Sequence, residues 1–216
     1  MMTFLPDFGT LLAFAVASVV LIITPGPDMA LQISRTVNYG RTHGVMTSLG
    51  SNVGILVHSA LVAFGISVLI VAAPMAFLAL KIGGAVYLIW LAIQAVLFGG
   101  GLRISAADAK MPSLWQSFAA GIMINLLNPK VVLFFITFLP QFVAHDDPAA
   151  SGKLFVLGGE FALLYLPCCL LLVLAAERIA HLFKTSKWVA RLLNYGFAAV
   201  FAAFAAIILT AQAKHA

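Results

Sequence analysis

Two proline breaks interrupt hydrophobic stretches at corresponding places in the two halves of this chain: Thr24-Pro25-Gly26-Pro27-Asp28 and Leu127-Asn128-Pro129-Lys130. Phe14-Ala15 lies eleven residues before Pro25, and Phe118-Ala119 lies eleven before Pro129. In hydrocarbon, a broken helix persists only where its freed backbone groups are buried in protein or line a cavity. Paired breaks therefore point to the substrate site of a secondary transporter.

Composition puts these breaks in a membrane. Hydrophobic residues make up 63% of the chain and charged residues 9%, with mean hydropathy +1.10. A soluble domain carries about 45–50% apolar and about 25% charged residues. In 216 residues several spans leave no room for a separate water-soluble domain, so residues 1–216 read as one transmembrane transporter domain. The net charge of +5 fits basic loops facing cytoplasm and anionic lipid. Basic residues do not cluster with interleaved aromatics, which argues against a nucleic-acid partner. Cys168 and Cys169 are adjacent within an apolar run, so they cannot form an ordinary disulfide and lack metal-site spacing. They read as packing thiols. The first residues carry no Lys or Arg, so the first apolar stretch reads as a transmembrane helix rather than a cleaved signal.

Runs of about 20 apolar residues cross a bilayer. The expected spans are Phe8–Ile23, continuing past the break toward Asn38, then one within Gly44–Ala73, and Met75–Phe98. After a polar stretch, Gly99–Ser113, come Leu114–Val143 (split at Asn128-Pro129), Leu154–Ala176 and Val189–Ala211. The fold class is thus an all-α membrane protein with six transmembrane helices. It reads as a 3+3 inverted repeat, halves 1–98 and 114–212, with proline-broken first and fourth helices. Alternate loops put Arg35, Arg41, Arg103, Lys110, Arg178, Lys184, Lys187 and Arg191 on one side; Lys81, Lys153 and Lys214 lie on the other. The positive-inside rule then places both termini of a multi-pass protein outside the cytoplasm. Glycines 40, 44, 50, 54 and 65, with the Gly83-Gly84 pair, suit close helix packing.

The breaks carry the chemistry. Pro27 and Pro129 can each open a half-helix, and Asn128 is a natural N-cap. The N–H groups of Asp28, Met29 and Ala30 would face the first break, where a carboxylate is favoured. Asp28 would hold an ammonium group, or merely complement the helix dipole. Pro25, Gly26, Pro27, Asp28, Asn128, Pro129 and Lys130 are the candidate substrate-binding residues. Lys130 opposes the dipole of its half-helix in an apolar setting and needs a partner: Asp28, Glu160 or a substrate carboxylate. Otherwise it snorkels to water. Glu160 and His58 lie within spans and are the proton-coupling candidates. Glu160 reads as a coupling carboxylate or an interfacial group, and His58 as a relay or a hydrogen bond to a neighbouring helix.

Three stretches together resemble the LysE/RhtB family of amino-acid exporters. The first is Thr24-Pro25-Gly26-Pro27-Asp28 with Gly40, Gly44, Gly50, Gly54 and His58. The second is Gly84-Ala85-Val86-Tyr87-Leu88 with Trp90-Leu91. The third is Phe118, Gly121 and Asn125-Leu126-Leu127-Asn128-Pro129-Lys130, then Phe134-Phe135 and Leu139-Pro140-Gln141-Phe142. The resemblance implies export of amino acids or related metabolites driven by an ion gradient. Ala92, where a glycine commonly follows Trp-Leu, and the run Ala202-Ala203-Phe204-Ala205-Ala206 depart from the family pattern. The chain also lacks a phosphate-binding Gly-x-x-x-x-Gly-Lys loop.

The resulting expectation is a proton-coupled secondary exporter, not an enzyme, with an amino acid as partner and no cofactor or metal. A homodimer suits a bundle this small. The rivals are a cation or metal exporter, a thiol oxidoreductase using Cys168 and Cys169, and a passive channel or structural subunit.

Overall fold

The structure is a computed structural model that describes residues 4–66, 74–99, 110–144, 147–185 and 187–210. The end of the expected second span, the connection through Arg103 and Asp108, and Lys214 lie outside the described residues. Every element among the described residues is helical. α1 is Phe8–Ile23, α2 Pro27–Tyr39, α3 Arg41–Leu61 with a π-helical turn at Val62–Ile66, and α4 Pro74–Gln94 with a similar turn at Ala95–Gly99. α5 is Leu114–Leu126, and α6 is Pro129–Leu133, continuing through a π-helical turn (Phe134–Phe138) and a 3-10 turn (Leu139–Phe142). α7 is Ala150–Thr185 and α8 Lys187–Thr210.

Capping and proline chemistry set the corners. Asp7 starts α1, its carboxylate accepting the Thr10 N–H at 3.0 Å and the Thr10 hydroxyl at 2.6 Å. Pro25 has no N–H to continue the ladder. Pro27 then opens α2 at its first position, where the missing N–H costs nothing. The chain bends 54° between α1 and α2. In the second half Ser113 and Gln116 form a capping box at the start of α5. Asn128 caps α6 behind Pro129, and the bend there is 49°.

Among the described residues, two helices are long and apolar enough to cross a membrane alone, over Arg41–Gly65 and Ala150–Leu182. The two bent pairs pass the same test when each is joined across its break, and Ile82–Leu97 and Asn194–Thr210 are shorter apolar stretches. α7 has 36 residues and is about 54 Å long at 1.5 Å per residue. It overruns the expected span Leu154–Ala176 at both ends. Lys153, Glu177 and Arg178 end the apolar run but are sound helix residues, so hydropathy and helix boundaries part company there.

α3 lies along α5 and α7, α2 packs on α3 and α7, α1 packs on α7, and α4 lies along α8. A Cβ added to Gly50 would strike the Phe118 carbonyl, and one added to Gly121 would strike the Thr47 carbonyl. α3 and α5 therefore meet backbone to backbone, the approach that small residues permit in lipid. Gly40, with φ +94°, turns α2 into α3 through the left-handed region. Gly65 and Gly83 instead face open space.

Phe14, Phe134, Phe135, Phe138, Phe161 and Phe204 are buried together, with ring centroids 4.6 Å apart for Phe138–Phe204 and 5.4 Å for Phe134–Phe161. This cluster holds the segment beyond the second break against α1, α7 and α8. The outer surface is apolar too: Leu163 is 78% exposed and Leu171 66%, as suits helices facing lipid rather than water.

Candidate functional site

Pro27 and Pro129 both take the first position of a half-helix, so Asp28 and Lys130 hold the same place in α2 and α6 with opposite charge. Both are buried, at 5% and 7% exposure. Each reaches across to the other break. Asn125 Nδ2 and Asn128 Nδ2 both donate to Asp28 Oδ2 at 2.9 Å, and the Ser51 hydroxyl donates to Oδ1 at 3.3 Å. Lys130 Nζ donates to the carbonyls of Thr24 at 2.6 Å and Leu21 at 3.1 Å.

The prolines explain the carbonyl acceptors. Pro25 cannot donate to the carbonyl four residues earlier, which is that of Leu21, and Pro129 leaves the Asn125 carbonyl in the same condition. The Leu21 carbonyl takes the Lys130 ammonium. The Asn125 carbonyl takes the Asn128 N–H at 3.0 Å, and His58 Nε2 stands 3.4 Å from it. The negative end of α1 thus partners a buried cation, as a helix C-terminus should.

Asp28 and Lys130 line one small void of about 20 Å³ together with Gln32, Phe161 and Tyr165. They face it without an ion pair; among the described residues the one salt bridge joins Lys153 to Asp147. Gln32 Nε2 donates to the Tyr165 hydroxyl at 2.8 Å, while Gln32 Oε1 is enclosed without a hydrogen-bond partner. Beside this void lies an apolar cavity of about 380 Å³. Ile22, Met29, Cys169 and Leu172 belong to the walls of both. Its remaining walls include Pro25, Ala175 and Ile179, which offer hydrocarbon and little else.

The sequence candidates part into groups here. Pro25, Gly26 and Pro27 form the first break, and Gly26 lies against the Lys130 stem, 3.4 Å from where its Cβ would stand. Asn128 does two jobs: its Oδ1 accepts the Lys130 N–H at 3.1 Å and its Nδ2 serves Asp28. One expectation needs correcting, because the Ala30 N–H bonds the Gly26 carbonyl at 3.0 Å and is not free to face the break. His58 joins the site through Asn125. Glu160 does not join it; it lines neither chamber, and its Oε2 is enclosed without a partner. Lys130 is compensated by two backbone carbonyls rather than by Glu160. Ser51, Asn125, Gln32 and Tyr165 complete the polar core without having been singled out as site residues. Gln32 follows Asp28 by one helical turn, and Asn125 precedes Asn128 by three residues, so helical periodicity was a usable signal for both.

The sequence profile of the LysE type translocator family matches residues 19–212. The chain belongs to this family. The LysE match takes in both breaks and all of α2 through α8. Relatives cover nearly the whole chain. A "Homoserine/homoserine lactone efflux protein" of Salmonella typhimurium is 30% identical over 204 residues, 94% of this chain and 97% of the relative. A "Leucine efflux protein" of Klebsiella pneumoniae is 27% identical over 208 residues, 95% of this chain and 98% of the relative. No solved structure matches the chain.

Proposed function

We propose that this chain is a secondary active exporter of amino acids, or close derivatives, across the bacterial inner membrane. The reading rests on one observation above the others: the reciprocal reach of Asp28 and Lys130 across two proline breaks into one void. A zwitterion needs an anion and a cation a few ångströms apart with water excluded. Asp28 would take its ammonium group, joined by Gln32 Oε1. Lys130 would take its carboxylate on the third N–H that the two carbonyls leave over. Pro25, Gly26, Pro27, Asn128 and Pro129 shape and cap the two half-helices. The relatives named for homoserine, homoserine lactone and leucine efflux support the same substrate class. The apolar cavity next to the void would receive an uncharged side chain.

A void of about 20 Å³ holds one water-sized body at most, so the site is closed as it stands. Opening must separate the two breaks. The bonds that would part, Asp28 to Asn125 and Asn128 and Lys130 to Thr24 and Leu21, engage the groups a zwitterion would engage. Substrate can therefore replace them as the breaks move, which couples binding to movement.

The six-span, 3+3 inverted arrangement belongs to the same proposal, with residues 1–216 as one transporter domain. Exchange α1–α2 with α5–α6, α3 with α7, and α4 with α8. The packing of α3 on α5 then corresponds to that of α7 on α1, while the α3–α7 and α4–α8 pairs map onto themselves. That closure and the similar bends of 54° and 49° support the repeat. The loop charges favour periplasmic termini. Inward proton movement would drive export, through His58, which is linked to Asp28 by Asn125, or through the enclosed carboxylate of Glu160. A homodimer is part of this reading.

Bacteria overproducing the protein and fed amino acids as dipeptides test it. Build-up of one amino-acid class outside the cells, absent from cells with the empty vector, is expected. Equal levels for every amino acid would overturn the reading.

A further inference from the structure

α2 carries a polar stripe beyond the site. At 100° per residue, Asp28, Gln32, Arg35 and Tyr39 fall within about 60° of one another on the helix. They run from the break to the end of α2 that adjoins Arg41. Arg35 lies partly buried on this stripe, with its guanidinium 5.4 Å from the Tyr39 ring centre. Its Nε and Nη1 are enclosed and have no hydrogen-bond partner among the described residues. Gln32 Oε1, three residues earlier, is an enclosed acceptor in the same condition. Enclosed donors of a cation without acceptors are costly, and an oxyanion would relieve the cost.

The neighbouring helices extend the stripe into a seam. Tyr39 packs on the His43 ring at 5.8 Å, and His43 Nδ1 is 2.9 Å from the Ser117 hydroxyl. Thr47 and Ser51 continue along α3, and Ser51 bonds both Asp28 and the Gly121 carbonyl. Buried polar groups thus lead from the basic end of α2 to Asp28 and Lys130. Off the stripe α2 sets Ile33 against Ala176 and Ala180 of α7 and carries Ser34, Thr36 and Asn38, whose side chains bond within the helix, Thr36 to the Gln32 carbonyl and Asn38 to Ser34.

We infer that Arg35 and Gln32 form a second binding station for the zwitterion, entered from the cytoplasmic end of α2 before the substrate reaches Asp28 and Lys130. The Arg35 guanidinium takes the carboxylate and Gln32 Oε1 takes the ammonium group. The two residues are about 4.5 Å apart along the axis, which suits the ends of an amino acid. Arg35 lies about 10 Å from Asp28 along α2, one step before the central site. The inference rests on the exporter reading. The competing source of an oxyanion is a lipid phosphate.

Inside-out membrane vesicles expose this end of the protein. The probe is whichever labelled compound, from a panel of the protein amino acids and homoserine, the unaltered protein takes up fastest. Arg35→Met should raise its half-saturating concentration about ten- to a hundredfold with the maximal rate largely kept, and Arg35→Lys should recover part of the loss. If Arg35→Met fails to reach the membrane, Arg35→Gln carries the test and should raise the same constant. An unchanged half-saturating concentration, or a fall in maximal rate alone as loss of a lipid-phosphate contact would give, overturns the station and leaves the exporter standing. Vesicles of the unaltered protein that take up nothing overturn both.

Discussion

Replacing Asp28 with asparagine separates the charge of the site from its architecture. The amide oxygen can take the place of Oδ2 and accept both amide donors, now at 2.9 Å. The new NH₂ group can then donate to Ser51 Oγ, which still donates to the Gly121 carbonyl. Only charge assistance is lost, at about 1 kcal/mol for each of the two strong bonds, or about 2 kcal/mol in all. Asp28→Ala is different. It strands the amides of Asn125 and Asn128, each at about 1–3 kcal/mol. Asp28→Asn should therefore reach the membrane at near-normal levels, and Asp28→Ala at visibly lower ones. Both would lose the anion that the proposed site sets opposite the substrate ammonium. Removing one partner of a buried charge pair costs about 3–5 kcal/mol, or roughly a hundred- to a few-thousandfold in export. Efflux from dipeptide-fed cells, normalised to protein in the membrane, measures this. Export by Asp28→Asn within a few-fold of the unaltered protein would refute the assignment of Asp28 to the ammonium group.

Gly121→Leu should drive α3 and α5 apart at the Thr47 carbonyl, costing at least about 1–3 kcal/mol. Thermal unfolding in detergent should show a lower midpoint, and an unchanged midpoint would mean the two backbones are not in contact. Glu160→Gln and His58→Asn should each be measured for export across external pH. Under the proposed proton coupling, loss of the coupling group flattens the profile, and two unaltered profiles would sink both candidates. Ala175→Phe fills the apolar cavity without touching Asp28 or Lys130. It should slow export of leucine-sized compounds at least about tenfold relative to alanine, and equal slowing of both would remove the cavity from substrate selection. Outside the membrane, the Lys153 ammonium and then the Ala149 N–H hold the Asp147 carboxyl below its ordinary value. The stabilisation is full above about pH 4 and is lost as the pH falls through the depressed value. Protection of the amides at residues 147–153, measured against the intrinsic exchange rate at each pH, should fall in acid, and Asp147→Asn should show that lower protection at neutral pH.

Local features of the fold were legible because they follow from short-range chemistry. Proline at the first helical position marks α2 and α6, asparagine before it marks α6 as well, and apolar runs mark helix cores. The ends of α7 were not legible, since Glu177 and Arg178 leave an apolar run without leaving a helix. The family was legible because its motifs are spread along the chain in order. The crossed partnership of the breaks was not, because Asp28 and Asn128 are 100 residues apart and only packing brings them together. The partner of Lys130 was hidden for another reason. It is backbone, the carbonyls of Thr24 and Leu21 at the first break, and a list of charged side chains cannot reveal it. Tyr165 carried no signal at all: it is one aromatic residue in an apolar helix until the fold sets its hydroxyl against Gln32.

Counterflow by the purified protein in proteoliposomes tests the central claim most directly, because it needs no ATP, partner or ion gradient. Vesicles preloaded with an unlabelled amino acid of the exported class should transiently concentrate the labelled compound from outside, and Asp28→Asn should abolish the overshoot. Vesicles of the unaltered protein that behave like protein-free ones across the amino-acid panel would contradict the account.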